Sequence, residues 1–273
     1  MTIALVSLPA LPDMPNEDFA AASPGAAVLL DGAGVAGGET GCEHGVAWFS
    51  SMLGGVLLGT LVGRPGLPVA ECLSHAIRTV RSLHEGDCDL HHPASPTSTV
   101  VAARALAGTL EYAVLGDSAL LLAGSDGTLD VVTDRRLDVV GKQLRGPVDA
   151  LSTGSPEHAA ALAEYRSALT RLRNRPEGFW IAGPDPEAAQ HALTGSVPLQ
   201  SLASLALMSD GATRLVDRFE LATWDELFAL VAASGPAEVI RRVRDAEADD
   251  PVGRRWPRGK ARDDATVLHW TLP

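Results

Sequence analysis

Hydrophobic positions change their spacing several times along the chain. Residues 26–30 (AAVLL) form a short apolar run that stops at Asp31-Gly32, which predicts a buried strand bounded by a turn. The spacing then becomes helical. Val69, Cys72, Leu73, Ala76, Ile77, Val80 and Leu83 recur at three- and four-residue steps on one face of a helix, and 46–61 predicts its partner, weakened by Gly54, Gly55 and Gly59. Alternation returns at Leu110, Tyr112 and Val114; with the turn Gly116-Asp117-Ser118 and the run 119–123 (ALLLA), it predicts a β-hairpin. A helix is predicted over 156–173, a strand over 204–208, helices over 224–233 and 237–247, and a last strand over 265–272.

Helices in this order come in pairs rather than singly between strands, which disfavours a doubly wound parallel sheet. Antiparallel sheets covered by helix pairs fit better. No internal repeat and no Pro-, Gly- or Ser-rich linker divides residues 1–273, so the pattern predicts a single domain.

Composition narrows the picture. With 273 residues, 46% of them hydrophobic, the chain can bury a substantial core. Its formal net charge of −12 and pI near 5.0 lack the basic footprint of a duplex-binding protein. No Lys or Arg precedes Arg64, whereas Asp13, Glu17, Asp18, Asp31, Glu39 and Glu43 do. That region would repel a phosphate unless a cation intervened. Three cysteines cannot all pair, and the first residues lack the basic start and apolar core of a signal peptide. The apolar run 52–62 reads as too short and Gly-rich to span a membrane, so a cytoplasmic protein is expected.

Three apolar runs end in or begin from an acidic turn: VLLDG at 28–32, LALMSDG at 205–211 and RDDATVLHW at 262–270; YAVLGDS at 112–118 is a fourth such site. Hard divalent cations take oxygen ligands, and strand ends hold carboxylates rigidly while leaving a side open to substrate. Each Asp-Gly alone reads more readily as a turn. The conjunction is more specific. NED at 16–18, DGAG at 31–34, TST at 97–99, GDS at 116–118, SDG at 209–211 and DDAT at 263–266 occur in one order, and the chain resembles the protein phosphatase 2C (metal-dependent protein phosphatase) family.

The resemblance implies an α+β fold, a four-layer α-β-β-α sandwich of two antiparallel sheets flanked by helix pairs. It implies a binuclear Mn²⁺ or Mg²⁺ centre in which Asp31 bridges both ions, the Gly32 carbonyl binds the first, and Asp210 and Asp263 bind the second. Glu17, Asp18 and Asp264 would lie just outside, Glu17 and Asp18 orienting water. Asp117 matches the aspartate that helps bind a third, weaker ion in bacterial members. A flap-like insert is expected at about 135–196. The implied reaction is hydrolysis of phosphoserine or phosphothreonine in a phosphorylated protein, with metal-activated water attacking in line and no protein nucleophile.

Two departures qualify it. Ala33 replaces a residue that could act as a general acid. The segment LPDMPNED lacks the phosphate-binding Arg that the family places before the acidic pair, so Arg254, Arg255, Arg258, Lys260 and Arg262, which precede Asp263, are candidate replacements. These departures favour a second reading, a pseudophosphatase that works by binding a partner; retention of the three aspartates favours the enzyme. Separately, Cys42 and His44 with Cys88, His91 and His92 invite a zinc reading, although their spacing matches no standard site.

Overall fold

The structure, a computed structural model, describes residues 2–34, 40–84 and 86–272. Strand β1 (Thr2–Leu8) is followed by β2 (Phe19–Ser23), β3 (Ala26–Leu30) and the short β4 (Gly32–Ala33). Helices α1 (Val46–Gly63) and α2 (Val69–His84) come next, then β5 (Thr97–Ser98), β6 (Val100–Leu106), β7 (Thr109–Leu115), β8 (Ala119–Gly124) and β9 (Leu129–Thr133). Helices α3 (Arg136–Leu144), α4 (Gly146–Asp149) and α5 (Pro156–Leu172) precede β10 (Leu193–Pro198) and β11 (Leu202–Met208). The remainder is α6 (Asp210–Asp217), α7 (Trp224–Ser234), α8 (Pro236–Asp249) and β12 (Ala265–Thr271).

The strands make two five-stranded antiparallel sheets, β1-β12-β11-β8-β9 and β10-β7-β6-β3-β2, and a two-stranded β4-β5 ribbon. All five residues of β3 are buried because both its faces are covered. Val28 and Leu30 face one way and pack with Leu53, Leu57, Leu73 and Ile77 of α1 and α2. Ala27 and Leu29 face the other and pack with Leu205, Leu207, Leu268 and Trp270 of the opposing sheet. The far side of that second sheet packs Ala206, Met208 and Val267 against Leu227, Val231, Ile240 and Val243 of α7 and α8. The layers are therefore α-β-β-α, as the resemblance implies. Truncating a side chain such as Leu29 at the centre would cost about 2–5 kcal/mol.

Two local expectations change. The run 110–123 is not a hairpin. β7 pairs with β6 and β10, whereas β8 pairs with β9 and β11 in the other sheet. Gly116-Asp117-Ser118 is a corner between sheets, so each flanking strand gains two neighbours and buries both faces. The acidic turn Ser209-Asp210-Gly211 also opens a helix that the spacing did not predict, α6. In addition, α1 is by length and composition apolar enough to cross a membrane, but it packs as a core helix against β2, β3 and α2.

The interval 135–196 holds α3, α4 and α5, and its last residues already belong to β10, the edge strand beside β7.

Candidate active site

The acidic turns meet at one end of the sandwich, and the neighbouring polar motifs hold them there. Asp31 follows β3; its N–H donates to Thr99 Oγ1 (3.2 Å), and its carbonyl accepts from the Thr99 N–H (2.9 Å) and Ser98 Oγ (2.9 Å). Thr99 Oγ1 in turn lies 2.7 Å from Ser118 Oγ. The TST and GDS segments thus clamp the backbone on which the Asp31 carboxylate stands. Asp210 opens α6, and its N–H points at Asp31 Oδ2, 3.4 Å away. Thr266 N–H donates to Ser209 Oγ (2.9 Å) and the Thr266 carbonyl accepts from Ser209 N–H (3.1 Å), so the segments carrying Asp210 and Asp263 move together. Asn16 reaches from Ser7 of β1 to the Asp18 N–H, at 2.7 and 3.0 Å.

Two close approaches need glycine. A Cβ on Gly32 would sit 2.5 Å from the Glu17 carbonyl and 2.6 Å from Ser50 Oγ, and one on Gly211 would sit 1.8 Å from the Asp264 carbonyl. The Gly32 N–H donates to that Glu17 carbonyl (3.1 Å), which fixes the first acidic segment against the second.

Like charges crowd here. Burial, then the neighbouring Asp210, Asp18, Asp263 and Asp117, push the Asp31 carboxyl well above the usual carboxylate range. Burial and Asp263 raise Asp210. Burial raises Asp117 to about 8 and Asp18 to about 7. Both Asp18 carboxylate oxygens are buried with no hydrogen-bond partner, although the Thr266 and Ser209 hydroxyls lie near enough to favour its charge. Asp263 alone among these is held down. Burial opposes its charge but is outweighed by Lys260, whose Nζ is 2.7 Å from Oδ1, and Arg214, whose guanidinium is 2.8 Å from Oδ2.

A cavity of about 340 Å³ opens above the cluster. Asp31, Asp117, Asp210 and Asp263 line it together with Arg135, Arg145, Arg166, Arg218 and Lys260; Asp138 and Asp217 add two more acids, and Leu162, Tyr165 and Leu169 of α5 form an apolar wall. Orphaned buried oxygens and mutually raised carboxyls are the environment that a divalent cation relieves. The donor set of Asp31, the Gly32 carbonyl, Asp210, Asp263 and Asp117 is all oxygen, which fits Mn²⁺ or Mg²⁺.

The structure places the other sequence candidates differently. Asp264 faces away from the cavity and ties the N-terminal segment to the site, accepting from Ala10 N–H on Oδ1 and from Glu17 N–H on Oδ2, both at 2.7 Å. Of the arginines proposed to replace the missing one, Arg254, Arg255 and Arg262 are exposed and do not line the cavity. Arg255 lies over the Trp256 ring. Arg258 reaches the cavity wall, but its five donors are spent inside the loop on Asp250, Trp256, Ala261 and Glu247. Lys260 is the member of that group that reaches the acids. Arg135, Arg145, Arg166 and Arg218 were not singled out by the sequence, because each stands among helix residues whose polar face looks like ordinary solvated surface. Ala33 lines the cavity, as expected of its position, and the neighbouring Val35 lies outside the described residues.

A sequence profile of the protein phosphatase 2C family matches residues 12–243. No curated protein sequence matches the chain. Among solved structures, the PPM Ser-Thr phosphatase MsPP from Mycobacterium smegmatis, in complex with cacodylate, is 17% identical over 100% of this chain and 99% of its own, with a TM-score of 0.59. The serine/threonine phosphatase PstP/Ppp of Mycobacterium tuberculosis is 16% identical over 99% of this chain and 98% of its own, with a TM-score of 0.57. The catalytic domain of PstP with two manganese ions is 16% identical over 100% and 98%, with a TM-score of 0.56.

Proposed function

The chain belongs to the protein phosphatase 2C family, and from that premise we propose that it hydrolyses phosphoserine or phosphothreonine in proteins with the help of Mn²⁺ or Mg²⁺. The observation that carries the reading is the convergence of Asp31, Asp210 and Asp263 in a cavity that Arg135, Arg145, Arg166, Arg218 and Lys260 also line. Asp31 would serve both ions, with the Gly32 carbonyl on one side, Asp210 and Asp263 on the other, and Asp117 at a third position. When bound, such ions activate a water and neutralise phosphoryl oxygens for in-line attack. PstP crystallised with two manganese ions supports the count.

The residues of the chain do the rest. Lys260 stands over Asp263 and feels the charges of Asp31 and Asp210, so an incoming phosphate meets a cation already aimed at the site. Arg166, close enough to Glu17 to act on its carboxyl, is placed to assist from α5. Together they take over the role of the absent N-terminal arginine. Glu17 and Asp18 would orient water: Glu17 is raised mainly by burial, and the unpartnered Asp18 oxygens are free to accept. Ala33 carries no proton, so the leaving alkoxide takes one from solvent. Helices α3 and α5, inside the expected insert, line the cavity and are the elements that would select among phosphoproteins.

Hydrolysis of an aryl phosphate and of a phosphothreonine peptide, with Mn²⁺ and with chelator, tests the reading. Turnover that needs the ion and disappears in Asp210→Asn supports it. Absence of turnover with either ion would leave the fold as a binding module.

A further inference from the structure

Away from the acidic cavity, Cys42, His44, His84 and Cys88 bring four donor atoms within 4.8 Å of one another. Cys42 and His44 belong to the segment that leads into α1; His84 is the last residue of α2, and Cys88 sits in the turn after it. Cys42 Sγ is 3.9 Å from Nδ1 of His44 and 3.9 Å from Nδ1 of His84, and Cys88 Sγ is 3.4 Å from Nδ1 of His44. A tetrahedral zinc with Zn–S of about 2.3 Å and Zn–N of about 2.0–2.1 Å has donor-to-donor edges of roughly 3.3–3.8 Å. These three sulfur–nitrogen separations stand within a few tenths of an ångström of such edges, and the remaining donor pairs lie within 4.8 Å.

Three further observations distinguish it from a patch of small polar residues. His84 is only 3% exposed, and its Nε2 is buried without a partner. A buried imidazole whose Nδ1 meets only a weak sulfur acceptor is poorly satisfied, and a metal–nitrogen bond at Nδ1 replaces that contact with a strong one. The backbone N–H groups of Glu43 and His44 face the Cys88 sulfur and favour its thiolate, whereas burial and the neighbouring Cys42 thiol raise the free thiol. The segment is also built to hold its shape: Trp48 stacks on His44 at 4.2 Å and lies 4.7 Å from His84, and the Asp89 N–H donates to the Gly41 carbonyl at 2.7 Å.

We propose that Cys42, His44, His84 and Cys88 bind one structural Zn²⁺. Two thiolates and two imidazoles in a closed tetrahedron select zinc over the hard ions suited to the carboxylate cavity. The site fastens the segment that continues from Gly32-Ala33 to the far end of α2, and so steadies one wall of the cavity from outside it. Pairings within the CDLHH run do not make this site. His91 and His92 are not among the clustered donors, and His92 Nδ1 accepts from the Ala94 N–H, so His84, one turn before Cys88, takes their place.

The test uses the full chain, purified without a metal-affinity step and kept reduced. Elemental analysis should find about one zinc per chain, retained by the Asp31→Asn/Asp210→Asn double variant and lost in His44→Ala and in Cys88→Ser. Both single-variant positions are at or near the surface, and circular dichroism checks that these proteins fold. Cobalt exchanged into the double variant should give thiolate-to-metal charge-transfer and tetrahedral ligand-field bands, absent in Cys88→Ser. The proposal is overturned if reduced, folded wild-type protein takes up neither zinc nor cobalt with a thiolate signature. It is equally overturned if zinc is lost in the double variant and kept in His44→Ala, or if Cys42 and Cys88 form a disulfide whose reduction yields no zinc binding. None of these readouts depends on phosphatase activity.

Discussion

Arg214 on α6 holds Asp263 Oδ2 at 2.8 Å, so a residue of the acidic cluster is tethered to a helix as well as to the segment leading into β12. The other arm of the same guanidinium donates to Glu247 Oε1 at 2.7 Å, and that carboxylate is fully buried. Removing Arg214 leaves the Glu247 charge with Arg244 as its remaining ion-pair partner. Arg214→Ala should cost about 3–5 kcal/mol in urea unfolding, the range for breaking a buried pair. A loss below 1 kcal/mol would show the pair to be dispensable.

Asp31→Asn should change stability in opposite directions with and without metal. In chelator the variant should melt higher than wild type, because one of several crowded charges is gone. In Mn²⁺ it should melt lower, having lost most of the metal-induced shift. Differential scanning calorimetry under both conditions decides; a full Mn²⁺ shift in the variant would remove Asp31 from the bridging role.

The raised carboxyls set a pH dependence for the metal-free protein. Asp18 near 7 and Asp117 near 8 stay protonated in the fold well above the ordinary value of about 4 that they have unfolded. Between those values the native state binds more protons, so stability is greatest at the acid end of the window and falls as pH rises through 7 to 8. Chelated protein should therefore show a lower urea midpoint at pH 8 than at pH 5. Asp18→Asn should flatten the slope, and an unchanged profile would show that Asp18 ionises normally.

Phosphate binding should map to the cavity wall rather than to the loop before it. Lys260→Ala and Arg166→Ala each remove a charge-assisted contact worth about 1.5–3 kcal/mol. KM for an aryl phosphate should rise roughly ten- to a hundredfold in each. Arg254→Ala, Arg255→Ala and Arg262→Ala, at exposed positions outside the cavity, should keep wild-type kinetics. The reverse pattern would return the role to the loop.

The fold was legible wherever burial is two-sided. AAVLL and LALM are apolar throughout because helices cover one face and a sheet the other, and their positions matched. β1 left little signal, since its residues are mostly exposed or half-buried and its one neighbour is β12. The hairpin at 110–123 was misread because a three-residue Gly-containing corner and a hairpin turn share local chemistry; only the pairing partners, distant in sequence, separate them. Within the site the acids were visible because strand ends and glycines announce them. Of the cations, Lys260 alone was visible. Arg166 and Arg218 take their meaning from helices folding across a cavity, and Arg214 from contacts to Glu247 and Asp263 far along the chain. His84 was hidden for the same reason: its partners Cys42 and His44 lie a whole helix pair upstream.

The pairing of β1 with β12, Leu5 opposite Leu268, joins the earliest and latest of the described elements. During synthesis β1 must wait, unpaired, until residues 265–271 have emerged, and Asp263 leaves the ribosome only just before them. The helical layer of α1 and α2 can assemble on its own sheet earlier, but the acidic cluster waits for Asp263 and the strand that follows it. A chain that has not yet reached residue 263 therefore carries most of the sandwich without a complete acidic cluster, and the site assembles only when β12 pairs with β1 and β11.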